Sequence, residues 1–383
     1  MKCLGFKNSN VYVFGKGLEK TSLCIEDGKI KEIGNAIQNQ AFIELDEKYI
    51  VLPGFVDKHT HGANSADFMN PSKEQIKLIL SAVAKEGTTS CLATTMTQSI
   101  DNINLSLQTI ASYIEEKPLG VEILGVHLEG PFISPKHAGA QPLKYIIPCD
   151  IQTFEELNQK AKNHIKQVTL AVEENGVDLV KHLKDKGVVA SLGHTDCTYE
   201  QAVEAVNQGA TSISHMFNAM RGLHHRNAGT VGAGLFCDEL KCELICDLIH
   251  VSKPVVQLLY KNKGKDGICL ITDAMEAKWM PDGDYQLGGQ KVIVKNGEAR
   301  LEDGTLAGST LKMNEAIHNF MQATGASLLD AVDLATINPA RCLHVEDKKG
   351  SIEVGKDADF VVVDKDLNVY MTICRGEIVY SKL

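Results

Sequence analysis

The amino-acid sequence predicts an α/β protein, a (β/α)8 TIM-like barrel joined to a small composite β-sandwich domain formed from both termini. Three observations predict it. The middle of the chain alternates short apolar runs with amphipathic segments, as βαβ units do. The two ends share a different pattern of short β-like runs and turns. Imidazoles and carboxylates follow most of the central apolar runs, which is where a barrel of this kind builds its site.

Residues 3–50 contain Val11-Tyr12-Val13-Phe14, Ser22-Leu23-Cys24-Ile25, the turn Asp27-Gly28 and Lys29-Ile30-Lys31-Glu32-Ile33. After about residue 350 the pattern returns in Gly350 to Gly355, Asp359 to Asp364 and Tyr370 to Tyr380. Half-sheets at opposite ends share one core only if the termini meet. The expected division is therefore 1–52 with 343–383 as the small β domain, and 53–342 as the barrel.

Within the barrel, candidate strands are 51–57, 88–95, 121–128, 167–172, 187–192, 210–214, 242–248 and 267–272. Amphipathic segments at Ser72–Glu86, Asp101–Glu116, Val177–Lys186, Thr198–Gln208 and Lys253–Lys261 separate several of them. A hairpin insertion is expected over Gly283–Leu306, turning at Lys295-Asn296-Gly297-Glu298. A doubly wound sheet fits less well: Gly229-Thr230-Val231-Gly232-Ala233-Gly234 has the wrong glycine order and no strand before it.

Composition narrows the partners. With 39 Lys and Arg against 49 Asp and Glu, the net charge is −10, which disfavours nucleic acid and anionic membrane surfaces. The 11 cysteines run from Cys3 to Cys374 without a C-x-x-C pair, and Cys91, Cys246 and Cys269 sit in apolar runs. This is the usage of a reducing compartment, and a cytoplasmic location is expected. The start MKCLGFKNSN lacks the apolar stretch of a signal peptide, and no run approaches the ~18 apolar residues of a membrane span. The terminal Ser381-Lys382-Leu383 matches a peroxisomal tripeptide but reads as the incidental end of a strand-like run.

The chemistry lies where the strands end. The first run leads into Asp57-Lys58-His59-Thr60-His61-Gly62, the third into His127-Leu128-Glu129-Gly130-Pro131, the fifth into Gly193-His194-Thr195 and the sixth into Ser214-His215. The seventh ends Asp247-Leu248-Ile249-His250 and the eighth Thr272-Asp273-Ala274. His59 and His61 stand two apart, so on a strand both project from one face. Together with His194, His215 and Glu129 they form a ligand set suited to zinc or iron. Glu129 sits between apolar residues and Gly-Pro, where an unpaired carboxylate would be costly and a metal is its natural partner. Asp273 is placed to take and return a proton across the barrel mouth. Arg221-Gly222-Leu223-His224-His225-Arg226 is a basic cluster in an acidic chain, suited to a phosphate.

These residues carry a resemblance. P-G-F-V-D-x-H-x-H-G resembles the amidohydrolase superfamily of metal-dependent barrel hydrolases. The strings H-L-E-G-P-F (127–132), G-H-T (193–195), S-H-M-F-N-A-M (214–220), I-T-D-A (271–274) and L-A-G-S (306–309) resemble its N-acetylglucosamine-6-phosphate deacetylase family, and Asn338-Pro339-Ala340 is similar to a late superfamily feature. The resemblance spans the whole chain. It implies hydrolysis of the acetamide of N-acetylglucosamine 6-phosphate to acetate and glucosamine 6-phosphate. Glu129, His194 and His215 then hold the principal divalent metal, zinc or iron, and His59 with His61 matches a pair that in some members supports a second. Asp273 matches the catalytic acid/base. Ala140, Gln141, Asn218, Ala219, Asp247 to His250 and Leu306-Ala307-Gly308 match substrate contacts, and Arg226 with His250 matches the sugar-phosphate clamp. The family also implies a homodimer with a small sugar phosphate as partner.

Leu248 stands where the family usually has glycine, and Asn227-Ala228 where Glu-Pro is common. Alternatives within the barrel class are an N-acetylgalactosamine-6-phosphate deacetylase and a cyclic-amide hydrolase. The latter type usually bridges two metals with a carboxylated lysine, where this chain has Glu129. An inactive scaffold is the non-enzyme alternative, and such proteins typically lose ligands that this chain keeps.

Overall fold

The structure, a computed structural model, describes residues 4–35, 37 and 41–383, so Cys3 lies outside the described residues. Eight parallel strands form the barrel: β1 Phe55–Thr60, β2 Thr88–Thr94, β3 Glu122–Glu129, β4 Ile165–Leu170, β5 Val189–Leu192, β6 Ser212–Ile213, β7 Lys241–Ile245 and β8 Ile268–Ile271. They pair in chain order. The ring closes just past β8, where the Asp273 N–H donates to the His59 carbonyl and the His61 N–H to the Ala274 carbonyl, each at 2.8 Å. Strands buried on both faces read as nearly continuous apolar runs, which is why the sequence exposes them.

Helices Lys73–Val83, Ile100–Glu115, Gly176–Asp185, Tyr199–Gln208 and Lys253–Lys263 fall within a few residues of the amphipathic segments. Local signals start several of them. The Ser72 and Ser99 hydroxyls accept from N–H groups in the first turn, and Thr198 forms a reciprocal capping box with Gln201. Helix Gly229–Phe236 lies outside the amphipathic segments singled out in the sequence, and its glycines are poor helix formers. Packing overrides that propensity. A Cβ on Gly234 would lie 2.7 Å from the Ile213 side chain, so glycine lets the helix approach β6.

The expected strand 51–57 is two strands. Ile50–Pro53 belongs to the terminal sheet and β1 to the barrel. Gly54 joins them against β2, where a Cβ would stand 2.3 Å from the Thr89 side chain. The expected hairpin is a three-stranded meander, Gly283–Leu287, Gln290–Lys295 and Glu298–Arg300.

The terminal sheet draws strands from both ends. Ile50–Pro53 pairs antiparallel with Phe360–Val363 and parallel with the end of Leu4–Val13. Phe6, Leu23, Val51, Phe360 and Ile373 fill its own core, with Phe6 edge-on to Phe360 at 5.8 Å. Buried Lys349 ties this sheet to β3, its ammonium lying 2.6 Å from Glu122, 2.8 Å from Asp357 and 2.8 Å from Asp359. Among the described residues no helix is long and apolar enough to cross a membrane.

Candidate metal centre

The predicted ligands meet at the carboxyl ends of the strands. His59 ends β1, with His61 just beyond, and Glu129 ends β3. His194 and His215 follow β5 and β6, and Asp273 follows β8. All six are buried. Three of them hold left-handed backbone: His194 at φ 47°, His215 at 31° and Asp273 at 47°. Such conformations cost of order 1–3 kcal/mol each and persist where surrounding structure imposes them, commonly at functional sites. Here they turn side chains from the strand ends into one cleft.

Two triplets share Glu129. In the first, the His215 Nε2 lies 3.1 Å from the Glu129 Oε1 and 3.1 Å from the His194 Nε2, while His194 and Glu129 are 3.4 Å apart. Bonds of ~2.0–2.1 Å around a tetrahedral ion require ligand edges of about 3.3 Å, so this triangle already has the dimensions of a metal site. In the second, the His59 Nε2 is 3.2 Å from Glu129 Oε1 and the His61 Nε2 3.3 Å from Glu129 Oε2. Asp273 Oδ1 adjoins it, 3.1 Å from His61 and 3.5 Å from His59.

The donor chemistry fits a cation. The Nδ1 of His194 donates to the His137 carbonyl at 2.9 Å, that of His215 to the Asn218 carbonyl at 3.2 Å, and that of His59 to Glu243 at 2.8 Å. Each Nε2 is left with a lone pair aimed inward. The buried His59 Nε2 has no aligned hydrogen-bond partner despite its carboxylate neighbours.

The carboxylates and imidazoles of the cleft shift one another. Burial opposes charge on His59, but Asp273, Glu129 and Glu243 outweigh it and raise its pKa well above the usual value. His61 is likewise disfavoured by burial yet pushed up to about 9 by bonds to Asp273 and Glu129. Burial would raise the Glu129 carboxyl, but the His59 charge and the imidazoles of His194 and His215 packed against it hold it well below the carboxylate range. Asp273 is lowered in the same way, His59 and His61 outweighing burial.

His61, Glu129, His194, His215 and Asp273 floor a cavity of about 240 Å³, lined further by Ala140, Gln141, Asn218, Ala219, His250, Leu306 and Gly308, with His59 beneath them. Gln141 donates to Glu129 Oε2 at 2.8 Å and accepts from the Thr97 N–H at 2.8 Å. Asp247 stands behind His250, taking its Nδ1 proton at 2.6 Å. Ala307 is buried between its two lining neighbours. Arg226 is not among the lining residues. It is exposed, with its Nη1 2.6 Å from the His225 ring. Leu248, in the glycine position, holds φ 63°, a conformation that favours glycine. Asn227 closes a tight turn with His224 through paired main-chain bonds of 2.9 Å.

Sequence reasoning passed over a buried layer beneath the cleft: Lys58, Gln167 and Glu243, all fully buried. The signal was available, because Glu243 interrupts an apolar run just as Glu129 does. The cleft residues Met96, Gly139, Ile245, Leu287 and Thr305 were also unforeseen. Leu287 comes from the meander after β8, which only the fold brings over the mouth.

A closed parallel barrel with two His/Glu triplets at its strand ends defines a class, the metal-site TIM barrels, and relatives narrow it. The model of the amidohydrolase family matches residues 50–379. The chain is 43% identical over 363 residues to the N-acetylglucosamine-6-phosphate deacetylase of Bacillus subtilis, covering 93% of this chain and 92% of that one. It is 36% identical over 330 residues to the N-acetylgalactosamine-6-phosphate deacetylase of Escherichia coli O157:H7, covering 86% and 87%. A solved structure of a mutant N-acetyl-D-glucosamine-6-phosphate deacetylase from Mycobacterium smegmatis, in complex with N-acetyl-D-glucosamine-6-phosphate, superposes with a TM-score of 0.91 at 29% identity over 100% of both chains. The chain belongs to the amidohydrolase family and is an enzyme.

Proposed function

We propose that this chain hydrolyses the acetamide of N-acetylglucosamine 6-phosphate, releasing acetate and glucosamine 6-phosphate. The observation that carries the reading is the pair of triplets on Glu129 with Asp273 beside them at the floor of the cleft. Relatives named for this activity support the substrate.

Glu129, His194 and His215 would hold the principal divalent metal, zinc or iron, and His59 and His61 with Glu129 a second. Such an ion polarises the acetyl carbonyl and makes water acidic enough to attack near neutral pH. Asp273, kept ionised, accepts the proton of the attacking water at its carboxylate and delivers it to the departing sugar nitrogen. Gln141 braces Glu129, since its amide is committed to that carboxylate. Asn218, Ala219, Ala140 and Leu306 to Gly308 wall the sugar pocket. His250, backed by Asp247, binds the phosphate from within the cleft, with the exposed Arg226 supplying the positive charge of the clamp. We assign the barrel, 53–342, to catalysis and 1–52 with 343–383 to its supporting β domain. The expected assembly is a homodimer, read by sedimentation. The expected location is the cytoplasm, which the spread of cysteines without a C-x-x-C pair suits.

Acetate release from a panel of N-acetyl sugars, with and without 6-phosphate, tests this. N-acetylglucosamine 6-phosphate is expected to be turned over fastest. Faster turnover of the galacto epimer would move the assignment to the second kind of relative. Equal rates with and without phosphate would remove the roles of His250 and Arg226.

A further inference from the structure

Glu243 lies on β7 and faces the barrel interior, beneath the cleft and outside its lining. Its two oxygens are fully committed. Oε2 accepts the Nδ1 proton of His59 at 2.8 Å and faces the His215 main-chain N–H at 3.4 Å. Oε1 accepts from the Lys58 ammonium at 3.1 Å and from Gln167 Nε2 at 2.8 Å. Lys58 in turn donates to the Ser212 hydroxyl at 3.0 Å. A fully buried ion pair is an expensive way to fill a barrel, and apolar side chains of similar size would commonly be no less stable.

The four histidines are not held alike. His194 and His215 are oriented by main-chain carbonyls, and the His61 Nδ1 has no hydrogen-bond partner among the described residues. Only His59 is oriented by a carboxylate. That contact allows one tautomer, with the proton on Nδ1, aims Nε2 at Glu129 and makes it a stronger donor. We propose that Glu243, clamped by Lys58 and Gln167, is the positioning residue that sets the metal affinity of the His59/His61/Glu129 triplet, leaving the Glu129/His194/His215 triplet largely unaffected. This rests on the reading that both triplets bind metal.

Glu243→Gln keeps the shape but has one carbonyl oxygen for donors that now share two, so either His59 or Lys58 loses its acceptor. The paired change Lys58→Met with Glu243→Gln removes that conflict and leaves the amide oxygen free for His59. Gln167→Met loosens the clamp without altering charge.

The metal-stripped full-length protein is titrated with zinc, and bound metal is counted after equilibrium dialysis. Melting temperatures establish that each variant is folded. Wild type is expected to take up two zinc ions. Glu243→Gln, or the paired variant should the single one not fold, is expected to keep the tighter affinity and lose about 10- to 100-fold at the second. Gln167→Met should shift the second affinity in the same direction by less. Two unchanged affinities in a folded variant overturn the positioning role and leave the two-triplet reading standing. An equal loss at both sites also overturns it, since that marks a general structural role. A wild type that binds one zinc, unweakened by His59→Gln, overturns the two-triplet reading and this inference with it.

Discussion

Replacing Asp273 with Asn separates proton transfer from everything else the residue does. The main-chain contacts survive: its N–H donates to the His59 carbonyl at 2.8 Å and its carbonyl accepts from the Ser309 N–H at 2.8 Å. The side chain keeps its volume, and an amide oxygen can occupy the position of Oδ1, 3.1 Å from His61. What disappears is the ability to carry a proton, because an amide does not titrate in this range. General acid–base catalysis contributes about 10²- to 10⁴-fold, so kcat should fall by that factor, or roughly 3–5 kcal/mol of barrier. KM should move only a few-fold, since the cleft walls that hold the sugar are untouched. The assay is acetate release over a range of substrate concentrations, with zinc content and melting temperature measured on the same preparation. A variant with normal metal content that keeps more than a tenth of wild-type kcat would refute the acid/base role.

Three further outcomes follow from the geometry. His250→Asn removes a cleft imidazole paired with Asp247. Losing one charge-assisted bond to phosphate costs about 1.5–3 kcal/mol, so KM for the phosphorylated sugar should rise roughly 10- to 100-fold while the unphosphorylated sugar is unaffected. Gly130→Ala places a Cβ 2.0 Å from the Thr97 hydroxyl at φ 73°, directly behind Glu129. Strain and overpacking should lower stability by about 2 kcal/mol or more, visible as a reduced denaturation midpoint. Burial raises Asp67 from 3.8 to about 6, so folded protein binds more protons than unfolded chain between those values. Stability of the metal-free protein should therefore fall as pH climbs from about 4 to 6, and Asp67→Asn should remove that loss. The variant should melt higher than wild type at pH 7.5 and show little difference at pH 4. Equal melting differences at both values would show that Asp67 is not the group responsible.

The site was legible to the extent that chemistry and strand period sufficed. Glu129, His194, His215, His59, His61 and Asp273 each end or follow a barrel strand, and their side chains converge. Polar residues there interrupt apolar runs, and a linear reading detects interruption well. Glu243 interrupts its run too, but lies within the strand, where alternation gives no sign of which interior group it will meet. Arg226 shows the reverse difficulty. Its loop is conspicuously basic in sequence, while in the folded chain the guanidinium is exposed beside His225 rather than lining the cleft.

By itself the sequence determined the barrel, the composite terminal sheet and which histidines and carboxylates gather at the strand ends. Each follows from local periodicity or from residue type at strand ends, and both are properties of short segments. Tertiary structure alone decided that two triplets share one carboxylate, that Leu287 from the meander walls the cleft, and that Lys58, Gln167 and Glu243 form a buried clamp beneath it. Those are distances between residues far apart in the chain, set by barrel closure and packing, and no local pattern encodes them.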